Sequence, residues 1–274
     1  MEDKYITLDS GKYHYQYFTG AESNAIIVLI HGLGEHLGRY ERWAKRFNPY
    51  NYAVCMLDLP GHGLSDGKRG HVKNVNIIYD LIDNFIEKVR EDFPNKPIIL
   101  YGHSMGGNIV GNYVLHRSAA IKALILSSPW LRLAIKPNFF KFQLGKLMFK
   151  IYPKFSDRTN LNPDFISRLP EEVDLYKHDK LVHGSITPAL FLPLFFNGMA
   201  LIKKAKKMYC PTLIFHGSGD KLTSHAASLE FSKQNEKIDF VSYENGYHEL
   251  HHDICQDELF ENILDWLSVH VVMR

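Results

Sequence analysis

Short runs of apolar residues recur along the chain, with helical patterns between them. Five of these runs show no polar alternation, which is typical of strands buried on both faces of a sheet. They are 25–30, 52–57, 97–101, 123–126 and 212–215. A weaker run at 238–242 is a sixth candidate, and residues 13–18 alternate apolar with polar positions. That alternation predicts an outer antiparallel strand with one solvated face.

Two amphipathic helices are predicted among these strands. Apolar residues at i, i+3, i+4 and i+7 run from Val75 to Val89, and proline stops this segment at Phe93-Pro94. The same spacing runs from Phe260 to Val271, after acidic residues that favour a helix start. Strands that alternate with helices predict an α/β fold whose mostly parallel sheet is covered on both faces.

One interval breaks this alternation. The chain between Ser128 and Tyr209 is far longer than a simple crossover requires, and its runs 139–149 and 189–196 are rich in aromatic and apolar residues. Such a segment is too apolar for a disordered loop and must pack on something. We predict a lid at 129–208 over the carboxyl edge of the sheet, inserted between two parts of the α/β core, 1–128 and 209–274.

Composition narrows the classes of partner. The chain has 274 residues with 45% hydrophobic and 23% charged residues, and its net charge of +2 is too small to argue for nucleic acid. Three cysteines without metal-type spacing argue against a disulfide framework or a zinc site, and we expect no metal. We see neither a signal peptide nor an apolar run of transmembrane length, so we expect a cytoplasmic protein.

A nucleophile motif follows the strand at 97–101. The segment Gly102-His-Ser-Met-Gly-Gly107 fits G-x-S-x-G in a strand–turn–helix context. The tight turn pushes the serine hydroxyl clear of the sheet, and the glycines avoid a collision between Cβ and a neighbouring strand or helix. The turn also places Ser104 at a helix N-terminus, where the helix dipole favours a developing negative charge. We therefore predict that Ser104 is a nucleophile.

A serine hydroxyl needs a base, and in this type of fold the acid and then the histidine follow the serine. Asp220 lies just beyond the strand at 212–215, and His248 lies just beyond 238–242, so both fall at the same sheet edge as Ser104. We predict His248 as the general base and Asp220 as the acid that orients it. The alternatives are an ordinary turn aspartate and one surface histidine among 15.

Acyl transfer also requires donors for the oxyanion. The backbone N–H of Met105, directly after the nucleophile, is one candidate. The Leu33 N–H, in the loop His31-Gly-Leu-Gly-Glu-His36 after the first buried strand, is the second. The alternative for this loop is a simple glycine turn.

These motifs, together with Asp58-Leu-Pro-Gly-His-Gly-Leu-Ser-Asp-Gly67, Gly217-Ser-Gly-Asp220 and Tyr247-His-Glu-Leu-His251, resemble the monoacylglycerol lipase and lysophospholipase family of α/β-hydrolases. The resemblance extends from about 26 to 266. It implies an α/β-hydrolase fold with a lid, esterase activity on a single-chain lipid and no cofactor. Ser104, Asp220 and His248 match the family's catalytic set, and Leu33 and Met105 match its oxyanion amides.

The resemblance also implies a polar pocket for the glycerol end of the substrate. It falls on Glu35, Arg39 and His251, with Tyr176 as a lid residue in contact with it. The alternative is a solvated Glu35–Arg39 ion pair and a lid-packing tyrosine. Thr223 departs from the animal lipases, which carry a cysteine shortly after the acid, so thiol sensitivity is not expected there.

Together these features predict a serine esterase that releases fatty acid from monoacylglycerol or a similar single-chain lipid ester. The alternatives are a lysophospholipase or broad carboxylesterase and, in a different class, a binding protein on an inactive scaffold. The aromatic lid followed by lysines predicts peripheral membrane contact, unless the lid helix packs on the core with its lysines solvated. These lysines are Lys203, Lys204, Lys206 and Lys207.

Overall fold

A computed structural model describes residues 3–117, 119–159 and 161–271. Its strands are β1 (Lys4–Leu8), β2 (Gly11–Phe18), β3 (Ala25–Ile30), β4 (Tyr52–Leu57), β5 (Ile98–His103), β6 (Ala123–Ser127), β7 (Asp157–Arg158), β8 (Ser185–Ile186), β9 (Thr212–Gly217) and β10 (Ile238–Tyr243). Its α-helices are α1 (Glu41–Lys45), α2 (Asn76–Asp92), α3 (Met105–His116), α4 (Phe139–Ile151), α5 (Pro170–His178), α6 (Pro188–Lys204), α7 (His225–Ser232) and α8 (Gln256–His270).

Eight of these strands form one sheet in the order β1-β2-β4-β3-β5-β6-β9-β10. The pairings of β2 with β1 and with β4 are antiparallel, and every pairing from β4 to β10 is parallel. The predicted mostly parallel sheet is therefore confirmed, and its parallel part brings the carboxyl ends of β5, β9 and β10 to one edge. Strands β7 and β8 pair separately as a short antiparallel ribbon.

The edge of the sheet differs from the prediction. Strand β2 is not outermost, because β1 pairs along it. Consecutive residues Tyr13, His14 and Tyr15 of β2 are all buried, and polar His14 is tolerated inside because its Nδ1 lies 2.8 Å from Asp58 Oδ2. The polar position at His14 is thus buried and hydrogen-bonded instead of facing solvent, whereas Gln16 is partly exposed.

Both faces of the sheet are covered by helices. On β3, Ile26, Val28 and Ile30 pack in the cluster that contains residues of α2 and α3, and the intervening Ile27 and Leu29 pack with α1 and α8. All six residues of β3 are buried, which explains its unbroken apolar run. Burying each large aliphatic side chain contributes roughly 1.5–3 kcal/mol.

The segment predicted as a lid contains α4, α5 and α6, but it is not uniform. Helix α6 packs closely on the core, since a Cβ at Gly111 of α3 would lie 2.5 Å from Leu201 Cδ2 of α6. Helix α4 has no buried residue. The Lys204 ammonium at the end of α6 lies 3.3 Å from His116 Nε2 of α3, so this end of α6 packs beside the core as the alternative expected. Within the described residues, no helix combines the length and apolar character needed to cross a bilayer.

Candidate active site

Ser104 occupies a strained turn between β5 and α3. Its φ of 53° and ψ of −113° are uncommon for a residue with a side chain. A Cβ at Gly102 would lie 2.5 Å from the Gly106 carbonyl oxygen, and one at Gly106 would lie 2.1 Å from that of Ile30. Two hydrogen bonds hold the turn, from Ser104 N–H to the Ser127 carbonyl and from Trp130 N–H to the Ser104 carbonyl, both at 2.9 Å.

Three side chains from distant parts of the chain meet at this turn. His248 Nε2 lies 2.9 Å from Ser104 Oγ, and His248 Nδ1 lies 2.7 Å from Asp220 Oδ2. An ionised carboxylate can only accept, so Nδ1 carries the imidazole proton and Nε2 accepts the hydrogen of the Ser104 hydroxyl. Strands β5, β9 and β10 bring the three predicted residues together at one sheet edge.

The side chain of Asp220 is fully buried and held by four donors besides His248. Its Oδ1 accepts from the N–H groups of Leu222 and Thr223, and its Oδ2 lies 2.8 Å from Thr223 Oγ1 and 3.0 Å from His216 Nε2. Burial alone would raise the pKa of Asp220, but His248 and His216 hold that pKa well below its usual value. The carboxylate therefore stays ionised beside the imidazole.

Opposing influences set the protonation of His248. Burial lowers its pKa, whereas Asp220, followed by Glu249 and Glu35, raises it, and the balance places the pKa above 6.5. Interaction with carboxylates thus outweighs desolvation. The arrangement favours the imidazolium that forms whenever the Ser104 proton moves to Nε2.

The two amides predicted for the oxyanion are free to donate. Neither the Leu33 nor the Met105 N–H has an acceptor within the described residues. Leu33 lines the same cavity as Ser104, and a Cβ on neighbouring Gly32 would lie 3.3 Å from Ser104 Cβ. The glycine therefore lets the loop lie against the serine, with two unbonded amides beside it.

A cavity of about 540 Å³ opens beside Ser104. Its lining falls into two groups. The apolar residues come from the segment after β6, from α4, α6 and nearby loops, and include Trp130, Leu133, Phe142, Leu161, Phe191 and Leu192. The polar group includes Glu35, Tyr176 and Glu249, and exposed charged residues such as Lys141, Asp157, Arg158 and Lys221 also belong to the lining. A chain-shaped apolar ligand with one polar end fits such a lining.

The residues implied for head-group binding are only partly at this cavity. Glu35 and Tyr176 line it, whereas Arg39 and His251 do not. The Glu35–Arg39 pair is buried, not solvated, with Arg39 Nε 3.1 Å from Glu35 Oε2. The Arg39 side chain is 6% exposed and the Glu35 side chain is 4% exposed. His251 differs from the expectation because its ring stacks on Tyr40 at 4.8 Å, behind the cavity wall.

Glu249, which sequence reasoning missed, lines the cavity directly after His248. Its Oε2 lies 2.5 Å from Arg39 Nη2 and 2.9 Å from His252 Nδ1. Glu249, His251 and His252 also place possible metal-ligand atoms within 4.8 Å of one another. The adjacent Arg39 guanidinium opposes a divalent cation there, so this cluster gives no reason to assign a metal. Its position in Tyr247-His-Glu-Leu-His251 was the available signal for Glu249.

The model of the family described as serine aminopeptidase, S33, matches residues 21–254. The chain belongs to this family. The resemblance seen in the sequence is thereby confirmed, and this S33-family member is a serine hydrolase with the α/β-hydrolase fold.

Individual relatives agree with this assignment. This chain is 30% identical to a monoacylglycerol lipase of Mycolicibacterium smegmatis, over 91% of its own length and 90% of the relative. An uncharacterised abhydrolase domain-containing protein of Dictyostelium discoideum is 32% identical over 90% of this chain, which spans 26% of that longer protein. The crystal structure of a Paleococcus ferrophilus monoacylglycerol lipase superposes with a TM-score of 0.86 at 32% identity, covering 94% of this chain and 99% of that one.

Proposed function

We propose that this protein hydrolyses monoacylglycerols, or closely similar single-chain lipid esters, to fatty acid and alcohol. The observation that carries the proposal is the hydrogen-bonded chain Ser104–His248–Asp220 beside a cavity with an apolar part and a polar part. The apolar part accommodates an acyl chain, and the polar part accommodates a hydroxylated alcohol. Similarity to monoacylglycerol lipases over nearly the whole chain supports the same reading.

In the proposed reaction, His248 Nε2 takes the proton of Ser104 as Oγ attacks the ester carbonyl carbon. The Leu33 and Met105 amides donate to the resulting oxyanion. Protonated His248 then gives its proton to the leaving alcohol, and an acyl-enzyme forms on Ser104. Water, deprotonated by the same imidazole, attacks the acyl-enzyme and releases the fatty acid, while Asp220 stabilises the imidazolium in both steps.

The test uses purified protein and 1-monooleoylglycerol, with oleate release as the readout. We expect turnover in the wild type and none in Ser104→Ala, which should also lose labelling by a fluorophosphonate probe. Good cleavage of p-nitrophenyl butyrate without oleate release would instead indicate a carboxylesterase. Absence of labelling in a folded wild-type protein would favour the inactive binding scaffold.

We also propose peripheral membrane contact, and we assign it to α4. This helix presents a row of exposed apolar side chains, with Phe140 79% and Leu144 51% exposed, and it carries Lys141, Lys146 and Lys150 beside them. An apolar row flanked by lysines suits the surface of an anionic bilayer. The proposal therefore moves from the lysines at the end of α6 to this helix.

Vesicle co-sedimentation tests this contact. We expect binding to vesicles of phosphatidylcholine with phosphatidylglycerol, stronger than to phosphatidylcholine alone, and a loss in the double variant Phe140→Ser, Leu144→Ser. Val269→Ser is the matched control, because Val269 is an exposed apolar residue of α8, 69% exposed. Equal sedimentation of the double variant and the control would remove the proposal.

A further inference from the structure

Two buried carboxylates line the cavity, whereas the buried guanidinium that is paired with both of them does not. Glu35 and Glu249 are each 3% exposed and both line it, whereas Arg39 lies behind them, with Nε 3.1 Å from Glu35 Oε2 and Nη2 2.5 Å from Glu249 Oε2. The other side of the guanidinium lies 4.6 Å from the centre of the Tyr176 ring. A bound alcohol therefore contacts Glu35 and Glu249 before it could contact Arg39.

The two buried acids of the cavity are ionised and have one buried guanidinium between them. Burial raises the pKa of Glu35 and of Glu249, but Arg39, which is paired with both carboxylates, helps to hold both pKa values below normal, so both acids are ionised. Burial lowers the pKa of His103 to about 4 and holds that of His251 well below normal, so both imidazoles are neutral. The two carboxylates therefore share the single guanidinium of Arg39.

Glu249 also offers a free acceptor. Both Glu35 oxygens are occupied, Oε1 by Gly32 N–H and the Tyr40 hydroxyl and Oε2 by Arg39. Glu249 Oε2 accepts from Arg39 and His252, but its Oε1 has no partner among the described residues. A carboxylate oxygen accepts hydrogen bonds and cannot donate. It therefore suits the hydroxyl of an alcohol and repels a phosphate, which is an anion and an acceptor.

We propose that Glu249 is a specificity-determining residue that selects lipid esters whose alcohol part has free hydroxyl groups and no negative charge. The proposal rests on the proposed monoacylglycerol hydrolysis and deepens it. It distinguishes that activity from the lysophospholipase alternative, because lysophospholipids carry a phosphate on the glycerol. Glu249 acts by direct contact with the alcohol and by its charge.

Cations at the cavity do not cancel this selection. Lys141 is paired with Asp157, and both side chains are more than half exposed. Lys221 is exposed, with its ammonium 4.6 Å from the centre of the Phe165 ring, and Arg158 is also exposed. Solvent and salt screen exposed charges strongly, whereas buried carboxylates are screened much less. The buried pair therefore dominates the field felt by a bound head group.

The experiment compares three substrates with the same decanoyl chain: 1-decanoylglycerol, 1-decanoylglycerol 3-phosphate and 1-decanoylglycero-3-phosphocholine. We expect kcat/KM to be highest for the neutral ester, lower for the zwitterion and lowest for the anion, by about 30-fold or more. In Glu249→Gln the ratio of neutral to anionic ester should narrow by about tenfold. Glu172→Gln is the matched control, because Glu172 is a buried, ion-paired acid on α5 that does not line the cavity.

The wild-type substrate series tests the inference even if a variant fails to fold. Turnover of the phosphate ester within threefold of the neutral ester overturns the inference and leaves the proposed function standing. No turnover of any of the three overturns both. A folded Glu249→Gln that keeps the wild-type ratio, or a Glu172→Gln that changes it equally, shows that Glu249 is not the selecting residue.

Discussion

The hydroxyl of Thr223 lies 2.8 Å from Asp220 Oδ2, the oxygen that His248 Nδ1 also reaches. The same hydroxyl lies 3.0 Å from the Ser128 carbonyl oxygen. The backbone N–H of Thr223 lies 3.1 Å from Asp220 Oδ1. Thr223 is buried, 3% exposed. The position where the animal lipases of this family carry a cysteine thus holds a residue that positions the acid.

We expect Thr223→Val to lower kcat by about tenfold with little change in KM. The substitution keeps the shape of the side chain but removes a hydrogen bond to a charged group, worth about 1.5–3 kcal/mol. Thr223→Ser retains the hydroxyl and should keep most of the activity. Steady-state kinetics of the two variants on 1-monooleoylglycerol decides the matter, and equal kcat values would show that the hydroxyl does not support Asp220.

The pH profile should report His248. Only the neutral imidazole accepts the Ser104 proton, and Asp220, Glu249 and Glu35 raise the pKa of His248 above 6.5. We expect kcat/KM on an uncharged ester to fall with decreasing pH, with a midpoint above 6.5, and the midpoint to move down in Glu249→Gln. A midpoint below 6.5 in the wild type would contradict this assignment.

Unfolding in acid would also make kcat/KM fall at low pH. The sign of the pKa shift of His248 shows that protonation of this residue does not promote such unfolding. A raised pKa means that protonated His248 stabilises the folded state below pH 6.5, a contribution lost only as pH rises through the folded value. Thermal unfolding at each pH of the profile is therefore the control. The protein should remain folded where activity is already declining.

Local patterns predicted much of the fold and the nucleophile. An unbroken apolar run such as Ala25–Ile30 fixes a strand buried on both faces, and Gly102 is required by its contact with the Gly106 carbonyl, four residues later. Chain order along a parallel sheet then predicts the meeting of Asp220 and His248. Each of these inferences depends on residues near in sequence or on topology alone.

The rest depends on contacts between distant segments. Nothing local to Arg39 indicates that it pairs with Glu249, 210 positions later, and is thereby drawn behind the cavity wall. His251 stacks instead on Tyr40, which ends a short 3-10 helix directly before α1. Strand β1 was missed because three of its five residues are exposed and none is fully buried, so its apolar signal is weak. Side-chain packing, not periodicity, decides such features.

Gly106→Ala should destabilise the protein strongly. The added methyl would lie 2.1 Å from the Ile30 carbonyl oxygen and 2.6 Å from that of His31, both backbone atoms that cannot yield easily. Overpacking of this kind costs roughly 1–3 kcal/mol or more. Gly145→Ala in α4 is the contrast, because a Cβ there meets nothing within 4 Å, and it should raise stability by up to about 1 kcal/mol. Urea unfolding of both variants measures the two effects, and equal stabilities would refute the close approach.

The contribution of Asp58 to the free energy of unfolding should depend on pH. Its oxygens accept from Leu37 and Leu64 N–H and from His14 Nδ1 at 2.8–2.9 Å. Although burial opposes both shifts, this pairing lowers the pKa of Asp58 below 3.8 and raises the pKa of His14 above 6.5. The contribution of Asp58 fades as pH falls through its folded pKa, and that of His14 fades as pH rises through its own, so the pair stabilises most between about pH 4 and 6.5.

Asp58→Asn should therefore lower the free energy of unfolding by about 3 kcal/mol near pH 5 and by less at pH 8. Asp66→Asn, at an exposed acid, should lower it little at either pH. Urea unfolding that shows the same loss at both pH values would exclude the ion pair as its source.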